Sequence, residues 1–581
     1  MEISINFCRI SFALALTFWA VHAVAANYPQ QEKKRIAQIA AHLAPTNGVW
    51  GPPRKSYNLD KLLEEPIPAC SDAKYMMFST VGDRTQYEKE FGGLIRMLSG
   101  LTDASIDGST KALRKLPAVL DRFCELKSWT SSAHDPQLNN FNGTLLIVDL
   151  FNSAICFELA RMLFYLKDKL PPETVAKIRA EMEHHVFTPY LQATRGDRKH
   201  MWSFFALSNW CAVCHSGVVR AALAYYEDPK QRAEFIEGAE RGMPYFLQSF
   251  LADGYCTEGM GYWNYGFGNF LELTAAVKEA TGGYLDFSKL DRAETAMRYA
   301  FNYRMTPTQC PIFADGGGGY PTDRNVELGV GFWPALKPLR DDRLAINSFF
   351  PNAQIYIGRG QHLQLGIKGG GNDDAHNHND VGSWTMIADG EVIAGDPGGE
   401  IYTARTFSKD RYVSKVLNSY GHPVPVIAGE LQGTGAQYAA KVVSTNFTET
   451  VDEISFDLTG AYDVLVQKKL GKVTRAVAFK RGKTEQIMIA DTFTYKKPQQ
   501  FETAIITYAR TTVAKDGKSF VLERNGAKVE VKIGVKGGGE WKLVEEDIEN
   551  PNCPSPHRIA VRFNEPVTGG TVGWRFTHKR K

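Results

Sequence analysis

Charge of one sign is what this 581-residue sequence most lacks: 67 Lys and Arg stand against 64 Asp and Glu, a formal net charge of +3. That balance excludes the broad basic footprint of a nucleic-acid-binding protein. It leaves room for a local basic cleft facing an anionic ligand. Beyond the N-terminus no stretch is long and apolar enough to cross a bilayer. Cysteine is sparse and scattered: of nine, only Cys211 and Cys214 lie close together. With no second CxxC pair, a zinc ribbon or redox centre is not expected there, and both read as buried helix residues. Internal repeats and low-complexity tracts are also missing.

What is present describes a globular chain. Hydrophobic residues make up 44% and charged residues 23%, and the length suits two large domains better than one. Aromatics at 12% serve either a large core or clefts that stack sugar rings. The N-terminus reads as a secretory signal over residues 1–26: Arg9, an apolar run from Ile10 to Ala23, and small residues at Ala23-Val24-Ala25 or Val24-Ala25-Ala26. Export to the periplasm or the medium is therefore expected. Disulfides would be permitted there, though a chain of this size does not need them.

The hydrophobic period changes near residue 345. Before it, Ile155, Leu159, Met162, Leu163 and Leu166 mark one helical face. Pro171-Pro172 then punctuates, and Val175, Ile178, Met182 and Val186 resume the spacing, as in an αα-hairpin. Similar stretches recur near 86–100, 211–227, 268–281 and 291–304, so residues 27–345 are expected to form an α/α toroid or solenoid. After residue 350 the period is two: Leu363, Leu365 and Ile367; Val473, Val477 and Phe479; Ile487 and Ile489; Val529, Val531 and Ile533. Lys480-Arg481-Gly482-Lys483 suits a hairpin turn, and residues 346–581 are expected to form an antiparallel β-sandwich.

Polar chemistry concentrates in two places. Two His and three Asp lie within the eight residues Asp373–Asp380. If this segment is a strand, His376, His378 and Asp380 project from one face. Asp396 and His422 follow, so two His and a carboxylate offer a three-ligand site suited to zinc. The second cluster, Asp253 to Gly266, mixes glycines with three Tyr, one Trp and Glu258, which suits a loop lining a cleft better than a core helix. Upstream of it, Asn209-Trp210 opens an apolar helix, with Asn209 a natural N-cap.

Ala375-His-Asn-His-Asn-Asp-Val-Gly-Ser383 resembles the signature of the heparinase II/III-like polysaccharide lyases, and Asn418-Ser-Tyr-Gly-His-Pro-Val-Pro425 resembles a downstream block of the same family. The resemblance implies a multidomain fold, an N-terminal α/α toroid followed by a C-terminal antiparallel β-sandwich. It implies β-elimination on a uronic-acid polysaccharide, with a homodimer left open. By the same resemblance Asn209 neutralises the uronate carboxylate. Tyr262, with Tyr265 in reserve, and His376 move protons. His378, Asp396 and His422 hold zinc, or another divalent cation, in a structural role. Trp210, Glu258, Arg405 and Arg411 are candidate substrate-binding residues. One departure stands out: Trp210 occupies a position where some relatives have His, and His215 is too far along the helix to replace it. Two other classes remain open. One is a toroid glycoside hydrolase using Asp253 and Glu258. The other is a non-catalytic polysaccharide-binding relative.

Overall fold

The computed structural model describes residues 28–44, 48–49, 57–340 and 344–579. The expected signal segment lies outside the described residues. Helices dominate as far as Lys337–Arg340, and the first strand is Asn347–Phe350. The predicted hairpin is present as Leu150–Leu166 followed by Pro172–Met182, with Pro172 in the first helical turn, where a missing N–H costs nothing. Asp149 caps the first of these helices by accepting from the N–H groups of Phe151 and Asn152, while Asn152 returns a bond to its backbone. The apolar face predicted from the spacing is buried at Ile155, Leu159, Met162, Leu163 and Leu166. The Leu150–Leu166 helix packs against Asn209–Tyr225. Cys211 and Cys214 are buried, unbridged residues of the latter.

The C-terminal region is built of antiparallel sheets of five, eight, four and two strands. Leu470–Lys480 and Gln486–Gln499 form the predicted hairpin, pairing Val477 with Ile489 and Phe479 with Ile487. Val473, Val477, Phe479, Ile487, Ile489, Val529 and Val531 join Leu363, Leu365 and Ile367 in one core, each worth roughly 1.5–3 kcal/mol of burial. Leu363–Lys368 departs from simple alternation, since all six residues are buried. Its intervening Lys368 is charged yet covered, because Asp380 accepts from it at 2.6 Å.

The chain divides into two compact units. One is Met1–Phe246 with Asn269–Leu290, and the other is Leu247–Gly268 with Asp291–Lys581. The expected split at 345/346 thus follows the secondary structure rather than compactness. The aromatic, glycine-rich segment around Tyr262 belongs to the same unit as the sheets. No helix among the described residues is long and apolar enough to cross a membrane.

Candidate active site

Tyr262 ends the short turn Met260–Tyr262, which leads into a π-helical turn over Trp263–Phe267. The position of this turn depends on two backbones in contact. Gly261 N–H donates to Gly316 O at 3.0 Å. A Cβ on Gly261 would lie 2.4 Å from that oxygen, and one on Gly316 would lie 2.3 Å from Glu258 O, so only glycine fits at either position. This contact brings Asp315 beside the tyrosine.

His376 comes from the loop that follows Gly371–Asn372, not from a strand. A turn at Ala375-His376, with His376 at φ +58°, separates the three side chains expected on one face. His376 turns to Tyr262, and the rings stack at 4.2 Å with 21° between planes. His378 turns inward to Asp396 and His422. Asp380 goes to Lys368. A non-glycine residue held in the left-handed region costs about 1–3 kcal/mol and persists only where its surroundings fix it.

Those surroundings include two residues that sequence reasoning missed. Asp315 Oδ2 meets His376 Nδ1 at 3.1 Å and accepts from Arg411 at 2.8 Å, while its Oδ1 meets His378 Nε2 at 2.9 Å. Burial opposes charge on Asp315. Hydrogen bonds from His376 and His378, reinforced by Arg411, overcome it and hold the carboxyl well below the ordinary range. The Tyr402 hydroxyl lies 2.8 Å from Tyr262 Oη and 3.0 Å from His376 Nδ1. Burial, with Asp315 and Tyr262 beside it, pushes its phenol well above the ordinary range. Tyr262, Tyr265, Asp315, Glu400 and Tyr402 line a cavity of about 380 Å³. One signal for Asp315 was in the sequence: it enters a run of four glycines, Gly316–Gly319, where the chain is freed to approach something closely.

His378, Asp396 and His422 each offer a ligand atom, and the three atoms lie within 4.8 Å of one another. His378 Nδ1 and His422 Nε2 are buried without a hydrogen-bond partner. Two orphaned imidazole nitrogens beside a carboxylate are the donor set a divalent cation satisfies, so the residues fit zinc. Asp396 is anchored from behind by Ser383 and by the N–H of Gly398. Burial opposes its charge, and His422 and His378 outweigh that to keep its carboxyl below the usual range. A second group, His362, Asp389 and His578, also brings ligand atoms within 4.8 Å. Its imidazoles stack at 4.2 Å and 9°, so their lone pairs run in parallel planes instead of converging, and both rings bond the carboxylate.

The remaining candidates are placed as follows. Arg411 spends its donors on Asp315 and on the carbonyls of Asn377 and Thr406. Arg405 holds Glu400 and the Arg411 carbonyl. Both therefore brace the loop from which they were expected to reach substrate. Glu258 is buried, whereas Tyr265 is 39% exposed at the cavity. Asp253 accepts from the N–H groups of Tyr255, Asn352 and Ala353, a bracing role. Asn209 and Trp210 belong to the other compact unit, at the start of Asn209–Tyr225. The Trp210 ring meets His134 at 4.5 Å and the exposed Trp202 at 4.8 Å. His134 is fixed by Asp149 at 2.7 Å, an arrangement the sequence reading missed. His215 is fully buried between the Tyr190 hydroxyl and Phe204 O, and burial lowers its pKa to about 3.

No protein-family profile matches the chain. No curated protein matches it in sequence. Solved structures do match in fold. A heparinase III crystal structure aligns with TM-score 0.65 at 13% identity, over 96% of this chain and 93% of that one. The heparan sulfate lyase HepC from Pedobacter heparinus aligns with TM-score 0.59 at 14% identity, over 98% and 91%. A methylated-lysine form of another heparinase III aligns with TM-score 0.61 at 13% identity, over 95% and 84%. The helical region followed by antiparallel sheets is thus the α/α toroid and β-sandwich fold of the heparinase III structures.

Proposed function

We propose that this chain is an exported polysaccharide lyase that cleaves a uronic-acid polysaccharide by β-elimination. One observation carries the reading: in a heparinase III fold, Tyr262 is stacked on His376 beside a cavity, with its hydroxyl in a hydrogen-bonded chain. The C5 proton of a uronate is weakly acidic, so removing it needs a positioned base and stabilisation of the anion that forms. Tyr262 takes that proton. The C–H electron pair becomes the C4–C5 double bond as the C4–O bond breaks, and the departing oxygen takes its proton from His376, the second member of the acid–base pair. Asn209 is assigned to the uronate carboxylate by resemblance. His378, Asp396 and His422 would hold zinc, which supplies a rigid support for the loop behind His376 and takes no part in proton transfer.

The hydrolase reading loses its carboxylate pair, because Asp253 is committed to three backbone N–H groups and Glu258 is buried. The test is to incubate the protein with heparan sulfate, chondroitin, hyaluronan and alginate and follow ultraviolet absorbance. Elimination creates an unsaturated uronate that absorbs. Reducing ends without absorbance would mean hydrolysis, and binding with neither would mean a non-catalytic protein. Tyr262→Phe is expected to lower turnover by a factor on the order of a hundred or more with substrate binding retained. Tyr265→Phe should leave it near normal, and the reverse pattern would move the role to Tyr265.

A further inference from the structure

The helical unit carries its own concentration of aromatic and polar side chains. Trp202 is 55% exposed, although tryptophan is ordinarily largely covered. Its indole is held in place nonetheless. It meets Trp210 at 4.8 Å with 44° between planes, and Trp210 meets His134 at 4.5 Å. The backbone on either side is tied down as well: Val148 N–H donates to His200 O at 2.7 Å, and Phe204 N–H donates to Met201 O at 3.1 Å.

His134 supplies a polar anchor beside these rings. Its Nδ1 is taken up by Asp149 Oδ2 at 2.7 Å. Asp149 is fully buried and also accepts from the N–H groups of Ser131 at 3.0 Å, Phe151 at 3.0 Å and Asn152 at 2.8 Å. With Nδ1 held from behind in this way, Nε2 is the nitrogen the ring presents. Nε2 makes no hydrogen bond among the described residues, and the side chain is 15% exposed. An exposed indole face next to a fixed hydrogen-bonding nitrogen suits a sugar better than an apolar partner. The C–H face of a pyranose packs on the ring, and its hydroxyl or carboxylate oxygens meet the imidazole, whereas an apolar partner would cover Nε2 and leave it unsatisfied. The cluster is also continuous with the proposed site, since Trp210 directly follows Asn209 at the start of Asn209–Tyr225.

We propose that Trp202, Trp210 and His134 form a saccharide-binding subsite of the helical unit, in which one pyranose residue of an acidic polysaccharide lies on the Trp202 face and hydrogen-bonds His134 Nε2. The proposal rests on the reading of the ligand as a uronic-acid polysaccharide. It adds Trp202 and His134 as substrate-binding residues and assigns them no proton transfer.

The test measures binding of heparan sulfate, chondroitin, hyaluronan and alginate oligosaccharides by calorimetry and tryptophan fluorescence. Full-length Tyr262→Phe protein serves as the background, so that bound sugar is not consumed. Adding Trp202→Ala should weaken binding about tenfold and diminish the fluorescence change. Trp202→Tyr, which keeps an aromatic face, should retain most of the affinity. Adding His134→Ala should weaken binding about threefold or more. On any polysaccharide that is eliminated, Trp202→Ala in otherwise wild-type protein should raise KM and leave kcat near normal, the pattern of lost uniform binding. Because Trp202 is exposed, its replacement leaves the fold intact, and a thermal melt checks this. Binding that is unchanged in Trp202→Ala overturns the proposal, even where Tyr262→Phe abolishes elimination, and so does a wild-type protein that binds none of the four. Self-association in sedimentation that Trp202→Ala disperses, with sugar binding unaffected, overturns it in favour of a contact between copies. Binding that depends on Trp202 without any elimination supports the subsite and counts against the lyase reading alone.

Discussion

The loops that carry the site are held by a buried arginine, and replacing it tests how much of the site depends on the sandwich beneath. Arg475 forms a two-pronged pair with Asp491 at 2.8 and 2.7 Å, and its remaining nitrogen donates to the carbonyls of Gly382 and Pro423 at 2.6 Å each. Both charged side chains are almost completely buried. Gly382 closes the loop of His376 and His378, and Pro423 follows His422, so one guanidinium fastens two loops to a core strand. Arg475→Met strands the Asp491 charge with only the Thr503 hydroxyl as side-chain donor, and it removes one donor from each carbonyl. Breaking a buried pair in this way costs about 3–5 kcal/mol. The sheet-bearing unit has roughly 300 residues, for which about 2.1 cal/mol/K per residue gives an unfolding entropy near 0.6 kcal/mol/K. A loss of about 4 kcal/mol should therefore lower its Tm by about 6 °C, measurable by scanning calorimetry. Adding Asp491→Leu should recover much of the loss, because an apolar pair of similar volume replaces the ion pair at little net cost. A shift below about 1 °C for the single variant, or a double variant no more stable than the single, would refute the reasoning.

Two further outcomes concern the metal and pH. Purified protein should carry stoichiometric zinc by elemental analysis, and chelation should lower the Tm. At a free-metal level of about 100 times Kd the ion contributes about 2.7 kcal/mol. His422→Ala should abolish the chelator effect, and wild-type protein that binds no divalent cation would remove the metal from the account. His215, with its pKa lowered to about 3 by burial, stays neutral in the folded chain while the unfolded chain takes up a proton below about pH 6.5. Its contribution is therefore intact above pH 6.5 and declines as pH falls towards 3, approaching about 1.4 kcal/mol per pH unit. His215→Gln should flatten that acid slope relative to wild type in calorimetry, and parallel slopes would show that His215 is not the cause.

The sequence by itself determined where helix gives way to strand, because periods of 3.6 and 2 are local properties: Ile155 to Leu166 and Val473 to Ile489 announce the face they bury. It also singled out His378, Asp396 and His422 by donor chemistry and by resemblance to known motifs, and the structure brings a ligand atom of each within 4.8 Å of the others. It did not determine how the His376–Asp380 segment is shaped. Alternation was the natural reading of His-Asn-His-Asn-Asp, and a turn with one left-handed residue sends neighbouring side chains to three destinations. Nor could it show what Arg411 does, because a surface-binding arginine and one bracing a buried carboxylate have the same local sequence. Asp315 and Tyr402 are the sharper case. Asp315 lies 61 residues from His376 in sequence and Tyr402 lies 140 from Tyr262, and nothing in their own neighbourhoods fixes what they touch. Only the close passage of Gly261 against Gly316 and the inward turn of the His376 loop bring them together.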